Sequence, residues 1–160
     1  MNLDLYLTMK RDIQSINYKI KKLASSLEKL KDTELNTEEI EFIKKYQPQK
    51  SLIIYGTLGP GRPNHSKIEH INGVWKKGII KGKLVNEGWG AAMGYFAFKN
   101  TAENEQEIIQ SYILISDELH KHWEFLDEFE GDEYTRTLTQ YELEDGTIGV
   151  GNIYAFKEKC

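Results

Sequence analysis

Apolar residues recur through the first thirty positions at Tyr6, Met9, Ile13, Ile16, Ile20, Leu23, Leu27 and Leu30, with mostly polar residues between them. The steps alternate between three and four. That 3.5-residue period predicts one coiled-coil-like helix over about residues 6–31. Such a stripe needs a partner. It is either a second copy of the chain, giving a homo-oligomer through residues 6–31, or this chain's own second helix and main domain. A membrane-surface helix is a third reading, which the narrow stripe disfavours. Asp32 to Asn36 interrupt the pattern. Asn36 or Thr37 can then cap a short helix over about 37–46, with Glu38 and Glu39 in the first turn, where the helix dipole favours acids. Gln47-Pro48-Gln49-Lys50 reads as a linker, because the residue before a proline is disfavoured in helix. The chain thus divides into a helical arm, 1–49, and a main domain, 51–160.

In the domain the pattern turns β-like. Leu52, Ile53 and Ile54 form a short apolar run that suits a buried strand. Val74 to Val85 holds a strand or two with a bend, broken by Gly78 and Gly82. Asn86 to Gly90 is a loop, Tyr95 to Phe98 a short strand, Asn100 to Gln106 a polar turn and Ile108 to Ile115 the next strand. Ser116 caps a helix over 117–130, which Gly131 stops. Tyr134 to Leu143 is threonine-rich and β-like. Asp145-Gly146 makes a hairpin turn into Ile148–Phe156. The class is α+β with a mixed sheet. The pattern leaves open whether that sheet closes into a barrel.

Two places carry candidate chemistry. After Ile54 the chain breaks into Tyr55-Gly56-Thr57-Leu58-Gly59-Pro60-Gly61. A glycine-punctuated loop leaving a strand is either a plain turn or a nest of N–H groups that holds a carboxylate or oxyanion. No Gly-Lys-Ser/Thr follows it, so it is not a phosphate loop. The second place is the helix over 117–130. At about 100° per residue, Leu119, Trp123 and Leu126 share a sector and Glu130 falls among them. Asp127, Glu128, Lys121 and Glu124 lie elsewhere. Either one acid points inward with the aromatics, or Glu130 is the frayed last residue and turns to water. Inward, it would be desolvated and its pKa raised, which suits proton transfer near neutral pH.

Composition narrows the function classes. The chain has 160 residues, 29% charged, and a net charge of −4, which argues against a nucleic-acid groove. No apolar run approaches the length of a membrane span, and no signal peptide is visible. The single cysteine, Cys160, makes no intrachain disulfide, which fits a cytoplasmic protein. His120 and His122 are two apart and cannot share a helix face, so they do not suggest a metal site.

Tyr55-Gly56-Thr57-Leu58, followed by Gly61 and Pro63-Asn64-His65, resembles the signature loop of the gamma-glutamylcyclotransferase-like family, closest to its gamma-glutamylamine cyclotransferase branch. Leu126-Asp127-Glu128-Phe129-Glu130-Gly131, with Tyr134 and Arg136, resembles the family's second signature. Gly82-Lys83-Leu84, Gly88-Trp89-Gly90, Gly94-Tyr95 and Leu119 to Trp123 are similar to a bacterial subgroup. The resemblance covers roughly residues 52–157 and leaves out the arm. Phe96 stands where relatives often have proline and Ser111 where they often have glycine, and both bear on substrate choice.

The resemblance implies a closed, barrel-like mixed sheet with flanking helices. It implies a small-molecule γ-glutamyl substrate, cyclised within itself to release 5-oxoproline and a free amine, with no metal or cofactor. Glu130 would be the catalytic acid–base. Tyr55, Gly56, Thr57 and Leu58 would bind substrate. Tyr134 and Arg136 either bind substrate as well or simply cover the barrel, with Arg136 paired to Asp127 or to the substrate's carboxylate. His65 would secure the loop through hydrogen bonds. The alternative is a non-catalytic protein that binds or sequesters a small molecule in the same pocket and oligomerises through its N-terminal helix.

Overall fold

The computed structural model describes residues 3–56, 58–86, 97–99 and 106–157. Thr57, Gly88-Trp89-Gly90, Gly94, Tyr95, Phe96, the turn residues 100–105 and Cys160 lie outside the described residues. Among the described residues six strands follow in chain order: β1 (Ser51–Ile54), β2 (Val74–Val85), β3 (Ala97–Lys99), β4 (Glu107–Ile115), β5 (Tyr134–Leu143) and β6 (Ile148–Phe156). Among the same residues three α-helices accompany them: α1 (Leu3–Lys19), α2 (Thr37–Tyr46) and α3 (Trp123–Glu130).

The sheet is a closed mixed barrel. β1 runs antiparallel to β4, with Leu52 opposite Leu114. β4 runs antiparallel to β2, β2 to β5 and β5 to β6. β6 then meets β1 as a parallel neighbour, Asn152 beside Leu52, and the ring is complete. β3 bridges the end of β2 to β6, Phe98 pairing with Leu84 and Ala155. Alternation sorts the side chains. Ile53, Ile80, Phe98, Ile109, Ile113, Tyr141 and Ile153, drawn from all six strands, form the barrel's interior. Leu52, Ile54, Leu114 and Tyr154 face the other way and pack under Leu119, Trp123 and Leu126.

β2 is one continuous strand, and its glycines mark close approaches rather than a bend. A Cβ on Gly82 would sit 2.3 Å from the Phe98 ring, and one on Gly78 would sit 2.7 Å from the carbonyl oxygen of Glu142. Gly78 also faces Ser111 across β4, where the small hydroxyl side chain is buried.

The arm departs from the expected helix over 6–31. α1 ends at Lys19, widens into a π-helical turn at Ile20–Ala24 and stops at Ser25, whose φ of 68° cannot continue a right-handed helix. Two short 3-10 turns follow, at Leu27–Lys29 and Asp32–Glu34. The stripe packs within its own chain: Met9, Ile16, Ile20 and Leu27 bury against Phe42 of α2 and against Leu138 and Val150 of the sheet. Leu3, Leu7, Tyr18 and Leu23 stay exposed. Among the described residues no helix is long and apolar enough to cross a membrane.

Polar ties fix the arm. Asn36 caps α2: its Oδ1 accepts from the Glu39 N–H at 2.8 Å, and the Glu39 carboxylate accepts from the Asn36 N–H at 2.8 Å. The buried Glu39 carboxylate also accepts from Ser15 and from Lys19 of α1. Burial alone would raise its pKa, but these donors hold it below the ordinary carboxylate value. Asn17 does a different job. β5 pairs with β2 only over Tyr141–Leu143, so its earlier half has an open edge. The Asn17 amide supplies the missing ladder there: Nδ2 donates to the Leu138 carbonyl at 2.8 Å, and Oδ1 accepts from the Leu138 N–H at 2.8 Å. A side chain thus takes the place of a strand on an edge that would otherwise template further pairing.

Replacing Asn17 with leucine leaves both Leu138 backbone groups unpaired beneath α1. The expected cost is about 2–6 kcal/mol, since each of the two orphaned buried groups costs ~1–3 kcal/mol. Urea unfolding should show it as a lower midpoint, with Asn17→Asp, which keeps one acceptor, falling between.

Candidate active site

The helix expected over 117–130 is divided in two. Ser116 accepts from the Glu118 N–H at 3.0 Å and donates to the Asn72 carbonyl, which pins a tight start. A 3-10 turn over Leu119–Lys121 follows, and α3 begins only at Trp123. Gly131, at φ 88°, ends it. The eight-residue helix is too short to hold itself. It is held by Trp123 and Leu126, each buried against β1, β4 and β6, at roughly 1.5–3 kcal/mol per large apolar side chain. Glu130 is seven residues after Trp123 and four after Leu126, so it stays on their side of the helix although the turn before Trp123 is wound differently.

Glu130 is half-buried. Some of its surface reaches solvent, yet protein encloses the carboxyl closely enough that burial pushes its pKa from an ordinary 4.5 up to about 7. Its charge is felt by Tyr55, Tyr134 and Tyr154, which places three phenols around one acid. Burial raises the pKa of all three, Tyr134 to about 12, so they stay protonated.

Tyr55 leaves the end of β1. Its hydroxyl donates to the Tyr154 carbonyl at 2.7 Å and accepts from the Phe98 N–H at 2.8 Å, tying β1, β6 and β3 together. Gly56 follows. A Cβ there would meet nothing within 4 Å, and its φ is not positive, so neither packing nor backbone angle demands a glycine. What the missing side chain leaves is open space over the main chain. Leu58 is buried in the cluster beneath α3. Its carbonyl accepts from Nδ1 of His65 at 2.9 Å, and the His65 ring stands edge-on to Trp75 at 5.3 Å. The loop is therefore anchored on both sides of Thr57. Tyr134 opens β5, half-buried, its ring edge-on to Phe156.

Arg136 sits apart from this group. It is 3% exposed, and its guanidinium is engaged on two sides. Nε and Nη2 donate to Asp127 at 2.8 and 3.1 Å. Nη1 donates to Glu28 of the arm at 2.9 Å, with Nη2 also on Glu28. Asn152 accepts from Nη1 at 3.4 Å, and the Trp123 ring stacks 4.0 Å away. Burial opposes its charge, but the two carboxylates outweigh that and raise its pKa. Asp127 also accepts from the Tyr154 hydroxyl at 2.6 Å.

The sequence brings Glu130, Tyr55 and Tyr134 to notice, and the structure gathers them. Tyr154 and Glu28 escaped it. Tyr154 has a trace in the sequence, as an aromatic two positions before the end of β6. Glu28 has none, because its partner lies 108 residues away. A cavity of about 780 Å³ lies elsewhere, between α1 and β5, lined by Ile13, Asn17, Ile80, Thr137 and Thr139 among others. Glu130, Tyr55 and Tyr134 do not line it, and the one carboxylate among its described lining residues, Glu142, is exposed. Size alone does not make it the site of proton chemistry.

Residues 52–160 match a family described as gamma-glutamyl cyclotransferase, AIG2-like. Similar solved structures include an AIG2-like protein of Mus musculus, at 23% identity and a TM-score of 0.52 over 69% of this chain and 79% of that one. YkqA of Bacillus subtilis is 26% identical with a TM-score of 0.50 over 68% of this chain, which spans only 36% of YkqA. No curated protein matches the chain.

The raised pKa of Glu130 sets a sign for stability. Below pH 4.5 the carboxyl is protonated folded and unfolded. Above that the unfolded chain releases the proton first, so stability falls as pH rises toward 7 and through it. Glu130→Gln should therefore be more stable than wild type at pH 8 and equal to it near pH 4, as read by thermal unfolding at both values.

Proposed function

The chain belongs to the gamma-glutamyl cyclotransferase, AIG2-like family, and on that premise we propose that it cleaves γ-glutamyl amines, with Glu130 as acid and base. Membership supports a cyclotransferase in general; the amine-type substrate and the residue roles are the reading offered here. The observation that carries it is the half-buried Glu130 carboxyl, at about pKa 7, whose charge is felt by Tyr55 and Tyr134. A carboxyl so tuned can take a proton and return it at neutral pH.

Ionised Glu130 accepts a proton from the substrate's α-ammonium group. The freed amine attacks the γ-carbonyl of the same molecule, and the new C–N bond closes a five-membered ring. Intramolecular attack spares the entropy of bringing two molecules together. Charge builds on the carbonyl oxygen. The main chain of Tyr55, Gly56, Thr57 and Leu58 would stabilise it or hold the α-carboxylate, using the space left open over Gly56. Glu130 then hands its proton to the departing nitrogen as the old C–N bond breaks, and the ring nitrogen's second proton follows through Glu130, so that the amine leaves as its ammonium. The products are 5-oxoproline and a free amine; no water, electron or further group is consumed. Tyr134 bounds the substrate. Arg136, which the motif puts among the substrate-binding residues, has its guanidinium occupied by Asp127 and Glu28, so its contribution runs through those residues. The substrate is a small molecule, and no homo-oligomer is needed for these steps.

Purified protein incubated with γ-glutamyl amines and γ-glutamyl amino acids should release 5-oxoproline, with kcat/KM falling as pH drops below about 7. Glu130→Gln should lower the rate by about 10²–10⁴-fold. Undiminished turnover in that variant would discard the mechanism. Binding without turnover by wild type across the whole panel would favour a sequestering protein.

A further inference from the structure

The double fork on Arg136 joins parts of the chain that have no other reason to meet. Asp127 lies on α3, one helical turn before Glu130. Glu28 lies in the arm, on the 3-10 turn after Ser25. Tyr154, whose hydroxyl donates to Asp127, lies on β6. The guanidinium also covers Trp123, the first residue of α3. Arg136 therefore grips α3 at its start, through Trp123, and near its end, through Asp127. Glu28 in turn holds the guanidinium from the far side, so its two Nη groups are not left to seek other acceptors.

We infer that Glu28 and Arg136 are positioning residues for Glu130, so that the arm supplies part of the active centre instead of being an appendage to it. The inference rests on the role given to Glu130 above. Each link is a made contact: Glu28 to Arg136, Arg136 to Asp127, Asp127 to the last turn of α3. That turn cannot hold its own place, because an eight-residue helix depends on tertiary anchors. Bidentate arginine–carboxylate pairs fix angle as well as distance, which suits positioning better than a single charge would. Around the pair stand Asp127, Glu28 and Tyr154; around Glu130 stand Tyr55, Tyr134 and Tyr154. Tyr154 belongs to both sets: its hydroxyl donates to Asp127, and it feels the charge of Glu130. Charge supports the same arrangement. Burial disfavours ionised Glu28, yet the hydrogen bonds and charge of Arg136 hold its pKa below the ordinary value, so the clasp is closed at neutral pH.

Glu28→Gln in the full chain is the test. The amide presents a donor to the guanidinium, breaks one fork and frees the last turn of α3. The expected result is a kcat lowered about ten- to a hundredfold, the scale of a small misplacement of a reacting group, with KM changed less than about twofold. A purely structural role would leave the surviving active molecules with an unaltered pH profile. Positioning predicts instead that water reaches Glu130 and the midpoint of the profile moves to lower pH. Glu28→Asp, which keeps the charge, should restore most of both. Carbon-13 NMR titration of the Glu130 carboxyl reads the same coupling without turnover: its midpoint should fall from about 7 toward 4.5 in Glu28→Gln. If no γ-glutamyl compound is turned over by wild type, the assigned reaction fails and the titration alone decides the coupling. A folded Glu28→Gln protein with wild-type kcat, pH profile and Glu130 titration would overturn the inference, and should that variant not fold, the same result in Arg136→Lys, which keeps the charge but loses both forks, would overturn it.

Discussion

One buried cation holds the protein's separate layers together. Arg136 is almost fully enclosed on the outer face of β5, where an unpaired charge would cost several kcal/mol, roughly the scale of a broken buried ion pair. It is tolerated because two carboxylates, an amide and an aromatic ring surround it. Those groups come from α3, the arm, β6 and the start of α3. Satisfying one guanidinium therefore requires the barrel to be closed, α3 to be seated and the arm to be folded back. The condition is geometric as much as energetic, since two planar forks must be met at once.

The sheet was legible because its signals are local. Apolar alternation, the Asp145-Gly146 turn and β-branched runs mark most of the strands. Closure was not legible from pattern. It depends on a parallel contact between Leu52 and Asn152, a hundred residues apart, and nothing in either segment announces the other. The arm misled for a similar reason. A 3.5-residue stripe is shared by a long helix and by a shorter helix followed by turns that keep the same side inward. Leu27 is buried in both cases, but in the structure it reaches the core after the chain reverses at Ser25. The stripe records which residues seek the core and not whether one helix carries them there. Asn36 and Glu39 are the opposite case, a capping box whose every contact lies within four residues.

The candidate site divides along the same line. Glu130 could be placed on the inward side because Trp123, Leu126 and Glu130 lie within one short helix, and the irregular turn before Trp123 leaves their mutual spacing intact. Tyr55 and Tyr134 were visible as neighbours in two motifs. The guanidinium of Arg136 was read as reaching Asp127 or a substrate. The first is what it does, and the second fork is taken by Glu28, a residue that no spacing rule connects to it. Thr57, which the motif places at the centre of the loop, lies outside the described residues.

The physical picture is an acid made less acidic by burial, its charge felt by Tyr55, with open space over the main chain of the next residue, Gly56. The cavity of about 780 Å³ under α1 carries, among the described residues, a single carboxylate, the exposed Glu142. The most direct measurement is a crystal structure of the full chain grown with 5-oxoproline. The ring is expected against the Glu130 carboxyl, with its carboxylate or carbonyl oxygen on the main chain between Gly56 and Leu58. A ligand seated under α1 instead, or one beyond reach of Glu130, would contradict this placement of the chemistry.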